Sequence, residues 1–264
     1  EITIVDTVAY ENLRAGRKYT VTGILMDKET GKEARDHYGN KIESQTEFTA
    51  PDSIGTVEVV FRFDGRGMGG STLVAFEALK KDGREYAVHK DIRDEAQTVY
   101  IPKIGTVIHD DDTKEHLSRA DSDVTLVDEV RYENLVPGRG YVLEGMLVDQ
   151  ETKKAAVDAQ GNKITAKTTF TPAKKDGSVE IVFKFDGSGL KGKTLTAYEE
   201  LFYNGKSVAE HKDAEDKEQT IYFPEIATAA TDEETELQMS YADEEVTIRD
   251  VVRYENLISG KKYT

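Results

Sequence analysis

The 264-residue chain has no cysteine, only five prolines, and 35 basic against 51 acidic side chains. Each shortage excludes something. Without cysteine there is no disulfide and no thiolate metal site, so if the chain is extracellular its stabilisation must come from elsewhere. The basic deficit leaves a net charge of −16, which argues against nucleic acid and anionic lipid as partners, because both recruit basic surface. No apolar run approaches the ~18 residues of a membrane span and no secretory leader opens the sequence. The expectation is therefore a cytosolic protein or an excised piece of a larger one, with no membrane contact by this segment. What is present, 38% hydrophobic residues over 264 positions, suffices for roughly two domains on a prior of about 100–200 residues each.

The chain is best read against itself. Tyr10-Glu11-Asn12-Leu13 returns as Tyr132-Glu133-Asn134-Leu135 and as Tyr254-Glu255-Asn256-Leu257, each step being 122 residues. The same offset carries Phe61-Arg62-Phe63-Asp64-Gly65 onto Phe183-Lys184-Phe185-Asp186-Gly187 without insertion. A period this long suits a whole domain rather than a solenoid turn. Within a copy, short alternating runs of Val, Ile, Thr, Phe and Tyr are separated by turn signals such as Lys81-Asp82-Gly83, which predicts antiparallel β-sandwiches in tandem. Asp27 and Asp149 read as turn residues. The acidic stretches 110–123 and 232–245 read as long loops. Asp110-Asp111-Asp112 with His109 reads as solvated loop rather than a cation site, and no metal or cofactor is expected.

Alternation also sorts polar side chains by face. Asp6 falls with Ile2, Ile4, Val8 and Tyr10, and Asp128 with Val124, Leu126, Val130 and Tyr132, so both carboxyls point into an apolar core; Thr125, Glu129 and Arg131 lie on the opposite, solvated face. Glu77 and Glu199 are inward by the same count, among Leu73, Ala75, Leu79 and Leu195, Ala197, Leu201. His89 and His211 share parity with Ala87 and Ala209. Gln97 and Gln219 open the runs Gln97-Val99-Ile101 and Gln219-Ile221-Phe223, placing a carboxamide on an apolar face, where an unpaired amide costs about 1–3 kcal/mol. Thr106 lies with Ile104 and Ile108 in what reads as a unit's first strand. Taken singly, each is an ordinary satisfied core polar group. Together they supply a hydroxyl nucleophile, a base, two carboxyls that cannot comfortably both ionise, and an acyl donor.

The phrases Leu73-Val74-Ala75-Phe76-Glu77, Asp6-Thr7-Val8-Ala9-Tyr10-Glu11-Asn12-Leu13 and His211 with Gln219-Thr220 resemble the T-Q ester-bond domains, also called VaFE repeats, of surface-anchored adhesins of Gram-positive bacteria. The similarity spans essentially all of 103–223, with Thr196-Ala197-Tyr198-Glu199 where the name-giving motif reads Val-Ala-Phe-Glu. The resemblance implies an immunoglobulin-like sandwich in which a first-strand Thr is joined to a last-strand Gln by a self-formed ester. It implies Thr106 as nucleophile, Gln219 as acyl donor, His211 as proton shuttle and Asp128 with Glu199 as the buried acid pair; His89, Glu77 and Asp6 are their counterparts in the first copy. It also implies a bacterial cell-surface location, with cell-wall anchoring in the full-length protein.

The expected organisation is 1–101, a sandwich lacking its first strand because the counterpart of Thr106 falls before Glu1; 102–223, a complete sandwich; and 224–264, the first strands of a third copy. The expected function is structural: a stalk segment whose partners are adjacent repeats, turning over once and not an enzyme. The alternative is a ligand-binding adhesin module using loops 36–40 and 158–162. A hydrolase built on Thr, His and Asp/Glu ranks last, because a neighbouring Gln would trap the nucleophile. Thr228, on a first strand with no remainder to pack on, is available with Gln97 for head-to-tail strand donation between chains; the equal alternative is that the open edge and the spare strand only mark where a longer protein was cut, with Gln97 left unreacted.

Overall fold

The computed structural model describes residues 1–242 and 244–264. Asp243, within the acidic stretch 232–245, lies outside the described residues. The chain is all-β, with no α-helix among the described residues and a single 3-10 turn at Lys217–Gln219. It divides into two compact units, the first built on Glu1–Ile104 with Tyr132–Arg139 and Pro172–Gly177, the second on Gly105–Arg131, Gly140–Thr171 and Ser178–Thr264.

In the first unit, β1 (Ile2–Tyr10) pairs antiparallel with β4 (Gly55–Phe63). The second sheet runs β3 (Glu43–Thr49), β2 (Lys18–Asp27), β5 (Thr72–Lys81), β6 (Arg84–His89), with β7 (Thr98–Tyr100) also on β5. The sheets face each other over a core that includes Ile4, Tyr10, Val21, Leu25, Val59, Phe61 and Leu73. These are alternate residues of their strands, as a two-sheet sandwich of the immunoglobulin-like kind requires.

The second unit repeats the plan with two more strands, β8 (Lys103–Asp110) and the short β11 (Lys154–Ala155). Here β13 (Gly177–Phe185), β9 (Val124–Glu133) and β8 form one sheet. The other is built from β11, β10 (Tyr141–Asp149), β14 (Thr194–Tyr203) and β15 (Lys206–His211), with β12 (Thr165–Phe170) on β10 and β16 (Thr220–Tyr222) on β14. The predicted first strand is β8, and Ile104, Thr106, Ile108 and Asp110 are all buried. Finally β17 (Glu225–Asp232) and β18 (Ile248–Glu255), among the described residues, pair only with each other, and Ile226, Val251, Val252 and Tyr254 stand at least half exposed.

Turn chemistry explains the boundaries. The recurring Asn of the Tyr-Glu-Asn-Leu motif takes a left-handed conformation at Asn12 (φ 59°), Asn134 (φ 59°) and Asn256 (φ 56°), which ends each preceding strand at a residue type that tolerates it. Asp27 and Asp149 accept from the backbone N–H groups of Thr30 and Thr152 at 2.7 and 2.8 Å, as their turn assignment requires. The stretch 110–123 is irregular but tied down. Asp110 accepts from the backbone of Asp112 and Thr113 and from Ser118 Oγ. Leu117 then bridges in parallel to Tyr222, flanked by Ser118 N–H to Tyr222 O and Tyr222 N–H to His116 O, so the loop covers the outer edge of β16.

Candidate functional site

Burial follows alternation on the inner faces. Asp128 and Glu199 are fully buried, and Thr106 nearly so at 4% exposure. One adjustment concerns the outer face of β9, which is less solvated than predicted: Val127 is buried there, Thr125 and Glu129 are half-buried, and Arg131 and Glu133 are exposed. A second concerns Gln219. It does not open a strand but closes the 3-10 turn Lys217–Gln219, capped by the Asp216 carboxylate accepting from Glu218 N–H. The inward direction of Gln219 is nonetheless as predicted, and its side chain is fully buried.

Three of these side chains converge. Gln219 Nε2 donates to Thr106 Oγ1 at 2.7 Å and to Glu199 Oε2 at 2.7 Å, and Thr106 Oγ1 donates to Glu199 Oε2 at 3.3 Å. Gln219 Oε1, Glu199 Oε1 and both Asp128 oxygens are buried with no conventional hydrogen-bond partner. Burial pushes the Glu199 carboxyl well above the usual range, and the negative charge of Asp128 pushes it further. Burial also raises Asp128, to about 6, with Glu199, Thr106 and the Val107 backbone acting in the opposite direction. Both carboxyls are therefore held toward their protonated forms, as two buried carboxyls that cannot comfortably both ionise. His211 is the cross-strand partner of Glu199, its Nδ1 buried and unpartnered and its Nε2 3.4 Å from Asp216.

Alternation could not announce every residue that shapes this site. Gly145 sits directly across from Glu199, and a Cβ there would lie 2.7 Å from the Phe183 ring, so glycine is what lets the ring close over the site. Its signal was a lone Gly inside a strand pattern, repeated at Gly23 opposite Glu77 and against Phe61. Gln150 is a second omission. Its Nε2 donates to Thr196 Oγ1 (2.7 Å), Ala214 O (3.2 Å) and Thr220 Oγ1 (3.2 Å), fastening the 212–218 loop that delivers Gln219. Its position beside a turn gave no cue.

The first unit holds the same residues with the set incomplete. Glu77 is buried, raised to about 8 by burial and by the adjacent Asp6 carboxyl, and neither of its oxygens has a hydrogen-bond partner. Asp6 and Gln97 are only half-buried, and the His89 side chain is 50% exposed, against 24% for His211. His89 Nε2 lies 2.9 Å from Asp94. Thr228 is exposed on β17, opposite Val252.

A two-sheet β-sandwich thus seals a hydroxyl, a carboxamide and two carboxyls together in its core. The T-Q ester bond containing domain family matches residues 1–101, 102–223 and 224–264, and the chain belongs to that family. No curated protein matches it. Among solved structures it is similar to a Mobiluncus mulieris bacterial adhesin containing intramolecular disulfide, isopeptide and ester bond cross-links, at 16% identity and TM-score 0.39, over 59% of this chain and 74% of that one. The C-terminal domain of the Streptococcus agalactiae AgI/II polypeptide BspA matches at 10% identity and TM-score 0.37, over 80% and 91%. A glycosyl hydrolase family 2 member from Bacteroides cellulosilyticus matches at 11% identity and TM-score 0.33, over 84% and 28%.

Proposed function

We propose that this chain is a stalk segment of a bacterial surface adhesin, with repeats at 1–101, 102–223 and 224–264, in which 102–223 welds its first strand to its last through a Thr106–Gln219 ester. The observation that carries the reading is the 2.7 Å approach of Thr106 Oγ1 to the Gln219 amide inside a pocket closed to water. The Thr106 Oγ–H and Gln219 Cδ–Nε2 bonds break, an Oγ–Cδ bond forms, and ammonia leaves carrying the hydroxyl proton. Asp128, ionised, is the base toward Thr106. Glu199, protonated, is the acid toward the amide; a half-turn of the carboxamide presents its unpartnered oxygen to that donor. His211, across from Glu199, relays the proton to the departing nitrogen.

Burial supports the single turnover, since water that cannot enter cannot hydrolyse the product. A cross-link between β8 and the start of β16 lets tension pass through a covalent bond instead of the sheet. That use suits an extracellular, cell-wall-anchored protein, and no helix among the described residues is long and apolar enough to cross a membrane. The alternative, ligand binding through 36–40 and 158–162, gains little support, because the exposed Tyr38 of the first loop is Gln160 in the second. The test is intact mass with peptide mapping. A deficit of one ammonia, in a peptide pair containing Thr106 and Gln219, is the expected result; a chain at its full sequence mass overturns the reading.

A further inference from the structure

The two reacting residues belong to different sheets: Thr106 lies on β8, which pairs with β9, and Gln219 leads into β16, which pairs with β14. β16 has only three residues, and its two edges are used differently. Phe223, which follows it, turns toward β14, donating its N–H to Lys193 O at 2.9 Å and accepting from Gly192 N–H at 3.0 Å. Tyr222 turns away. Its N–H donates to His116 O at 2.9 Å and its carbonyl accepts from Ser118 N–H at 3.0 Å. The outer edge of β16 is thus taken by 116–118, a stretch that continues directly from β8.

That stretch is tied to the end of β8 by buried hydrogen bonds. Asp110, the last residue of β8, is 6% exposed and Ser118 is 2% exposed. Asp110 Oδ1 accepts from the N–H groups of Asp112 (3.1 Å) and Thr113 (2.9 Å), and its Oδ2 accepts from Ser118 Oγ at 2.6 Å. Thr113 Oγ1 donates to Leu117 O at 2.8 Å, and Asp110 N–H to Glu115 O at 2.9 Å. The same set recurs 122 residues on, where Asp232 accepts from Glu234 N–H, Thr235 N–H and Ser240 Oγ, and Thr235 Oγ1 donates to Met239 O. The tie is therefore a property of the repeated sequence, formed by Asp, Thr and Ser at fixed spacing.

We infer that 111–118 is a strap that positions the acyl donor: fastened to the nucleophile's strand by Asp110 and Ser118, it clamps Tyr222 and so holds Gln219, just ahead of β16, where Thr106 meets it. The inference rests on the ester chemistry proposed above. It adds Asp110 and Ser118 as positioning residues, since neither is among the groups that meet at Thr106 and Gln219. The physical reason is the kind of contact each strand has. β14 fixes β16 only within its own sheet, whereas the strap refers β16 by backbone hydrogen bonds to β8, in the other sheet, and it also turns a short edge strand into one bonded on both sides.

The test separates positioning from stability in the full chain. Linking rate is read as ammonia loss by intact mass in freshly synthesised protein. Folding and backbone exchange are read in the same variants carrying Thr106→Ala, by melting and by NMR hydrogen exchange. Ser118→Ala removes the hydroxyl from Asp110, and Thr113→Ala, at an exposed residue that leaves the core untouched, loosens the strap where Ser118→Ala might not fold. The expected result is faster exchange at Tyr222 N–H with Phe223 N–H still protected, a folded second unit, and linking slowed by between about tenfold and a hundredfold, as displacing a reacting group by an ångström does. Ser118→Thr, which keeps the hydroxyl, restores the rate. Linking at the wild-type rate in a variant whose Tyr222 N–H has been freed overturns the inference and leaves the proposed function standing. So does unchanged Tyr222 exchange in both variants, or slowing only in proportion to the fraction of unfolded chain. Wild-type protein at its full sequence mass overturns both.

Discussion

Thr106 and Gln219, 113 residues apart in sequence, meet at 2.7 Å between hydroxyl oxygen and amide nitrogen, each buried from solvent. A covalent bond at this point closes almost the whole second unit into one loop. If it acts on the unfolded state as a disulfide over a comparable loop does, it stabilises by about 4–5 kcal/mol. Thr106→Ala should therefore give protein at its full sequence mass, with the second unit unfolding at a clearly lower temperature than in wild type. An unchanged melting profile in a variant shown to be unlinked would mean that the link does not constrain the unfolded chain.

The separate tasks proposed for the two buried carboxyls can be told from packing by substitution. Burial holds Glu199 toward its protonated form, so Glu199→Gln keeps shape and neutrality while removing the acid. We expect folded, unlinked protein from Glu199→Gln and much slower linking from His211→Ala. Thr125→Ala is the control: it sits on the outer face of β9 and should link as wild type does. Ammonia loss in Glu199→Gln at the wild-type rate would remove Glu199 from the chemistry.

The burial of these side chains was legible in sequence because a strand's side chains alternate between faces. Inward carboxyls are buried where the sheet is complete, as Asp128 and Glu199 are, while Asp6 is only half-buried. Duplication helped, since Glu77 and Glu199 recur while the outward neighbour of His89, Val88, becomes Glu210. Alternation fails where the chain leaves the strand. Gln219 ends a 3-10 turn, and Thr220 beside it is buried as well, so the two-face count breaks there. Gln150 and His116 touch the site's surroundings through loops brought together by the fold, and nothing local marks them. Gly145 was visible as a residue but not as the seat of the Phe183 ring, which is a cross-sheet relationship.

The first unit offers a pH test that the linked unit does not. Glu77 is raised from 4.5 to about 8, chiefly by burial and then by the Asp6 carboxyl. A carboxyl with a higher pKa folded than unfolded binds its proton more tightly in the native state, so its stabilisation is complete below about 4.5 and is lost as pH rises through about 8. The first unit should weaken steadily across that window. Glu77→Gln, always neutral, should flatten the slope. Urea unfolding read by hydrogen exchange in residues 72–81, with intrinsic rates corrected at each pH, measures it; an equal slope in both proteins would place the pH dependence elsewhere.

Gln150 supplies the last prediction. Its amide holds Thr196, Thr220 and the carbonyl of Ala214, tying β14 and β16 to the loop that aims Gln219. The first unit has Lys28 at the matching place, and its Nζ donates to Thr98 Oγ1 at 3.2 Å and Glu95 Oε1 at 2.7 Å. Both side chains thus reach the hydroxyl that follows the Gln, which argues that the position serves the loop and not one particular hydrogen bond. Net stabilisation from such bonds is small, about 0.5–1.5 kcal/mol each. Misplacing the amide by an ångström, by contrast, can cost about a hundredfold in rate. Gln150→Ala should accordingly fold, melt only slightly below its parent when both carry Thr106→Ala, and link slowly enough for unlinked chain to be seen in freshly synthesised protein by intact mass over time. Gln150→Lys should restore much of the rate by reaching Thr220 as Lys28 reaches Thr98. Linking by Gln150→Ala as fast as wild type, with the same small loss of stability, would reduce Gln150 to a packing residue with no part in positioning the acyl donor.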